Sequence, residues 1–272
     1  MSAVDDLFTK LRSQGRKAFM PFVTAGDPDL EFTARVLREL DRRGASMCEL
    51  GIPYSDPIAD GPVIQASYTR ALEKKIKLAA VFEMLGPAAR EITAPVVTMV
   101  SYAIVYRHGL KQYVADAKAA GAAGAIVPDL PVDEAAQLAE TCRGEDFNLI
   151  QLVTPTTPRE RALRIAETSS GFIYYVSVTG ITGERTELPP ELAENVAWLR
   201  GQTELPICIG FGISRPEHVR LLAPAADGLI VGSALVRRIA RAAEEPADAV
   251  LADVGDFAAE LLAALEAAPQ GA

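Results

Sequence analysis

The stretch CELGIPYSDPIADGPVIQ, residues 48–65, closes a short apolar run on Glu49 and then carries Asp56 and Asp60 in a proline-broken loop. A solvated loop holds carboxylates at no cost, but a carboxylate at a buried strand end needs a partner or a task. Apolar surroundings favour the neutral form of Glu49, which suits a group that gives up a proton and later takes one back. A structural ion pair with an Arg or Lys from a neighbouring loop is the competing reading. Taken alone, Asp56 and Asp60 read at least as well as turn-forming residues of a Pro-rich loop.

What is missing narrows the chemistry further. None of the seven lysines, at 10, 17, 74, 75, 77, 111 and 118, falls at the C-terminal end of a strand candidate, which speaks against a Schiff-base lysine. His108 and His218 are the only histidines and lie far apart, so a histidine-ligated metal is poorly supported and none is expected. His218, in SRPEHVRLL, reads as a surface or partly buried helix residue. No serine or cysteine has a plausible base beside it, which leaves acid–base chemistry by carboxylates, with a tyrosine as a possible companion.

The elements that hold these residues follow from hydropathy. Strand candidates are AFMPFVT (18–24), SMCELG (46–51), VVTMVSY (96–102), GAIVPD (124–129), FNLIQLV (147–153), FIYYVSV (172–178), PICIGFG (206–212) and DGLIVGS (227–233). They are nearly all-apolar rather than alternating, as parallel strands covered on both faces are. Helical stretches such as LEFTARVLRELDRRG and DEAAQLAETCRG lie between them, the latter with Asp133 as its expected N-cap. Eight such units give an α/β fold: a single (β/α)8 TIM barrel over residues 1–272, with an extra amphipathic N-terminal helix. A doubly wound sheet is the alternative, but no Gly-x-Gly-x-x-Gly turn follows the first strand.

In a barrel the chemistry sits in loops leaving the C-terminal strand ends. Glu49 ends strand two, and Asp60 lies in the loop behind it. Tyr102 is expected to end strand three and Pro128-Asp129 strand four, while Tyr174 and Tyr175 lie in strand six. GFGIS (210–214) and VGSAL (231–235) leave strands seven and eight, each ahead of a helix. Their glycines let backbone N–H groups approach an anion, and barrels often hold phosphate at these two loops. The plainer reading makes them tight turns, with Ser214 and Ser233 as helix caps. SVTGITGERTELPPE (177–191) is long for a strand–helix connection and is a candidate lid.

The acidic balance means that an anionic substrate would need a local positive field, which backbone dipoles could supply without a basic patch. The 272-residue chain is 49% hydrophobic with a formal net charge of −9, and its pI of about 4.9 disfavours nucleic acid and anionic membrane as partners. Cys48, Cys142 and Cys208 read as buried free thiols of a reducing cytoplasm, and no signal peptide or membrane-length apolar run is present.

The segments PFVTAGDPD, ELGIPYSDPIADGPVIQ, PDLP, VSVTGITG, GFGIS and VGSA, in order from about Phe19 to Val236, resemble the tryptophan synthase α-subunit family. The resemblance implies retro-aldol cleavage of indole-3-glycerol phosphate to indole and glyceraldehyde 3-phosphate. It implies Glu49 as the general acid/base and Asp60 as the carboxylate on the indole N–H. It also implies Tyr174 beside the substrate, Phe22 and Phe211 around the ring, and Gly183, Gly212, Gly232 and Ser233 at the phosphate. Thr182 becomes a lid threonine that contacts Asp60, and Asp56 stays structural. The implied partner is a pyridoxal-phosphate β subunit in an α2β2 assembly, with no cofactor in this chain. After strand three the family commonly carries Asn-Pro near the subunit contact, whereas this chain reads Ile104-Val105. The rivals are a free-standing indole-glycerol-phosphate lyase, a phosphosugar isomerase and a non-catalytic phospho-ligand-binding barrel; the presence of both Glu49 and Asp60 argues against the last.

Overall fold

The computed structural model describes residues 2–57, 60–177, 190–210 and 212–268. Eight strands form one closed parallel barrel in sequence order: β1 (Ala18–Thr24), β2 (Cys48–Gly51), β3 (Val96–Met99), β4 (Ala122–Ile126), β5 (Asn148–Val153), β6 (Ile173–Val176), β7 (Ile207–Gly210) and β8 (Gly228–Val231). The (β/α)8 expectation holds. The barrel closes through β1 and β8, with Ala18 in register with Gly228.

Side chains alternate across each strand, so one phase fills the barrel and the other meets the helices. Met20, Phe22, Val97, Ile126, Ile150, Tyr174 and Cys208 belong to the inner cluster. Cys48 and Leu50 pack outward in the other cluster, which turns Glu49 and Gly51 of the same strand inward. Helix α1 (Ala3–Ser13) starts with a capping box between Ser2 and Asp5. It inserts Val4, Phe8 and Leu11 into the inner cluster, with Phe8 5.7 Å from Phe172. The barrel is thereby stoppered at its N-terminal end, and the C-terminal strand ends remain as the mouth.

Helix α2 (Leu30–Arg42) is capped by Asp29 and buries Phe32, Val36, Leu37 and Leu40. Helix α3 (Pro62–Glu73) follows the Asp60 loop and turns Ile64, Tyr68 and Ala71 inward at i, i+4, i+7. Arg70 anchors it. Its guanidinium donates to both oxygens of Asp27, at 2.9 and 2.6 Å, and Asp27 is only 1% exposed. Arg70→Ala leaves that buried carboxylate unpaired. The expected cost is about 3 kcal/mol, the low end for a broken buried pair because Arg70 is itself part-exposed. A denaturation midpoint unchanged from the parent would show that the pair does not hold α3.

Strand ends fall short of their sequence limits. Tyr102 does not end β3 but begins the helix Tyr102–His108, and β4 stops at Ile126, before Pro128-Asp129. The reason is Asp129, whose carboxylate accepts from Ser101 Oγ at 2.6 Å and from the Tyr102 N–H at 2.7 Å. This pairing turns the chain into a helix early. Asp133 is not an N-cap either. It lies in the 3-10 turn Val132–Glu134, and the helix Ala136–Gly144 starts without a side-chain cap. Asp133 accepts instead from Arg164 at 2.5 Å. Among the described residues no helix is long and apolar enough to cross a membrane.

Candidate functional site

Glu49 stands in register with Phe22 of β1 and Val97 of β3. It is fully buried, and neither carboxylate oxygen has a hydrogen-bond partner among the described residues. The ion pair that the sequence left open is absent there. Burial alone pushes its carboxyl well above the usual range, which favours the protonated form that a proton donor requires.

Asp60 sits half-buried at the mouth, just before α3. The Tyr54 hydroxyl donates to its Oδ2 at 3.4 Å, while Gln65 Nε2 donates to its main-chain oxygen at 2.8 Å. Burial pushes its carboxyl up to about 6, against a smaller lowering by the Tyr54 hydrogen bond. Asp56 is exposed and accepts from its neighbour Ser55 at 2.9 Å, a local loop contact.

Two glycines let aromatic rings reach this space. A Cβ at Gly51 would lie 2.4 Å from the Phe22 ring and 2.8 Å from the Tyr68 hydroxyl. A Cβ at Gly210 would lie 2.4 Å from the Tyr174 hydroxyl. Phe22 therefore lies across Gly51 inside the mouth, with Gly232 on its other side at ordinary contact distance. Burial raises the Tyr174 hydroxyl well above its usual value, and the Asp60 charge adds to that. Glu49, Asp60, Phe22 and Tyr174 are thus brought together.

Gly212, Gly232 and Ser233 stand at the ends of the neighbouring strands β7 and β8. Gly212 has φ +78°, a conformation that favours glycine. Neither serine is a helix cap: the N-cap residues are Arg215 for the helix Pro216–Leu222 and Gly232 for the helix Ser233–Ile239, without side-chain capping bonds. Thr182, Gly183, Phe211 and residues 178–189 of the candidate lid lie outside the described residues.

Three residues near the site were not singled out for it from sequence. Tyr54 donates to Asp60, and Tyr68 packs its ring 5.4 Å from that of Tyr54. His218 is 3% exposed rather than at the surface. Its Nδ1 lies 3.2 Å from the Gly212 carbonyl, while Arg215 Nε donates to its Nε2 at 2.9 Å. The Ser214 N–H also donates to Nδ1 at 3.4 Å, so the ring braces the turn after β7. Burial and the Arg215 charge lower its pKa. The signal for Tyr54 and Tyr68 was their nearness to Asp60 in sequence; for His218 it was the Gly-rich turn six residues earlier.

A family model described as tryptophan synthase alpha chain matches residues 8–264. The tryptophan synthase alpha chain of Rhodopirellula baltica is 56% identical over 278 residues, covering 98% of this chain and 100% of that protein. The alpha chain of Microcystis aeruginosa is 47% identical, covering 88% and 91%. Among solved structures, tryptophan synthase subunit alpha of Legionella pneumophila superposes with a TM-score of 0.89 at 34% identity, covering 98% of this chain and 99% of that one. A chain of the tryptophan synthase complex of Pyrococcus furiosus gives 0.82 at 37% identity, covering 91% and 99%.

Proposed function

This chain belongs to the tryptophan synthase alpha chain family, and from that premise we propose that Glu49 and Asp60 carry the proton transfers and charge stabilisation of its reaction. The chain is a lyase of tryptophan biosynthesis that cleaves indole-3-glycerol phosphate to indole and glyceraldehyde 3-phosphate, and it pairs with a β subunit. The observation that carries the site assignment is Glu49: a fully buried carboxyl without a hydrogen-bond partner among the described residues, its neutral form favoured by burial, on the inner wall of the barrel mouth.

Glu49 gives its proton to indole C3, which leaves positive charge spread toward the indole nitrogen. Asp60, as a carboxylate, accepts the indole N–H and stabilises that charge where it develops. The Glu49 carboxylate then takes the proton of the adjacent glycerol hydroxyl. The aldehyde C=O forms, the carbon–carbon bond breaks, and its electron pair restores the indole ring. Protons balance: one goes to carbon and one returns to Glu49. Phe22 and Tyr174 flank the ring. The phosphate lies against the main-chain N–H groups at Gly212, Gly232 and Ser233.

Pyridoxal phosphate belongs, on this reading, to the β subunit of an α2β2 assembly. None of the seven lysines of this chain stands at a C-terminal strand end where a Schiff base would face the mouth. Tyr106, 69% exposed on the helix Tyr102–His108, is the large apolar side chain that docking would cover; Ile104 and Val105 of the same helix pack into the core. The three buried free thiols support a reducing, cytoplasmic setting. The test is indole release from indole-3-glycerol phosphate with and without an added β subunit. Release that rises on addition is expected. No release in either condition, from a folded chain and a compatible partner, would refute the reading.

A further inference from the structure

We propose that Tyr68 is a positioning residue for Glu49: its hydroxyl donates to the Glu49 carboxylate once that group has given up its proton. The inference rests on the reading of Glu49 as the acid/base and adds a residue that this reading does not use.

Tyr68 is fully buried, and its hydroxyl has no hydrogen-bond partner among the described residues. Helix α3 turns it inward between Ile64 and Ala71. The hydroxyl would lie 2.8 Å from a Cβ at Gly51. Gly51 is two residues beyond Glu49 and therefore on the same inner face of β2. The donor thus stands one pleat further toward the mouth than the carboxyl group. Burial raises its hydroxyl well above the usual tyrosine range, and the Asp60 charge pushes it the same way.

Two carboxylates lie within electrostatic reach, and the hydrogen bonds separate them. Asp60 already takes the Tyr54 hydroxyl. Among the described residues Glu49 takes nothing, since both its oxygens lack partners there. A protonated Glu49 tolerates that isolation; an ionised one does not, because a bare carboxylate in an apolar wall is strongly disfavoured. Catalysis passes through that ionised form, and an O–H aimed at it stabilises it.

Among the described residues the fold gains no hydrogen bond from this hydroxyl. Phenylalanine would bury the same ring without an unpaired polar atom, so the tyrosine is retained at a cost in stability. A group that destabilises the fold and stands one pleat from the reacting carboxyl is better explained by its work there.

The test is Tyr68→Phe, with Glu49→Gln and the double variant alongside, each assayed in the complex with the β subunit. Tyr68→Phe is expected to melt no lower than the parent and to lose about tenfold or more in kcat, with KM within about twofold. Its alkaline limb in the pH–rate profile moves to higher pH, because Glu49 without its donor holds its proton longer. In a Glu49→Gln background the change has no further effect. If Glu49→Gln is inactive while Tyr68→Phe keeps the parent kcat and pH profile, the Tyr68 assignment fails and the Glu49 reading stands. A loss of kcat with an unmoved alkaline limb likewise overturns it, leaving a packing effect. If Glu49→Gln stays active, the acid/base reading fails and this inference goes with it.

Discussion

Glu49→Gln is expected to lower kcat by about 10²–10⁴-fold, the worth of a positioned general acid/base, while product binding stays near the parent value. Glutamine matches the side chain in shape, and the native carboxyl is already neutral at rest because burial raises its pKa. The substitution therefore removes the transferable proton without changing the resting charge of the wall. Stability should respond in a characteristic direction. A carboxyl raised above its ordinary 4.5 in the folded state binds more proton folded than unfolded above that pH, so the parent loses stability as pH rises. The variant does not titrate, and its melting temperature should gain on the parent's above about pH 4.5. Indole release, calorimetric binding of glyceraldehyde 3-phosphate, and melting curves across pH check the three parts. Undiminished turnover would take Glu49 out of the mechanism.

Glu49 was legible because a lone carboxylate interrupted an apolar run, and the barrel was legible because eight such runs recurred. The limits of β1, residues 18–24, match the observed strand, whereas β3 and β4 were drawn too long. In both, apolar residues continue past the last ladder position: Val100 is fully buried but no longer in the strand. Hydropathy reports burial, and burial does not end where pairing ends. The side-chain bonds from Asp129 that turn the chain there join residues 27 and 28 apart, which no local window contains. Tyr68 was hidden for a related reason. Its ring fits the apolar stripe of α3 so well that burial explains it entirely. Only laying α3 across Gly51 shows where the hydroxyl goes. Asp133 misled because its type suits a cap, yet the chain takes a 3-10 turn there and Arg164 claims the carboxylate.

Asp60→Asn is expected to lower kcat by about 10²–10³-fold, comparable to losing one group aimed at developing charge. Asparagine can still accept the indole N–H, so what is lost is the negative charge opposite a ring that turns cationic. The same requirement predicts a pH dependence. Burial holds the Asp60 carboxyl at about 6, so parent kcat/KM should fall as pH drops through about 6, where the carboxylate takes up its proton. The stability contribution runs the other way. A carboxyl raised from 3.8 to about 6 binds more proton in the folded state between those values, so this group costs stability as pH rises across that window. Activity and stability should therefore diverge between about pH 4 and 6, a pattern that a purely structural aspartate, stabilised by its charge, would reverse. In Asp60→Asn the acid limb should disappear and the melting temperature near neutrality should be no lower than the parent's. An acid limb that persists near pH 6 in the variant would assign that titration to another group and remove the carboxylate from the charge-stabilising role.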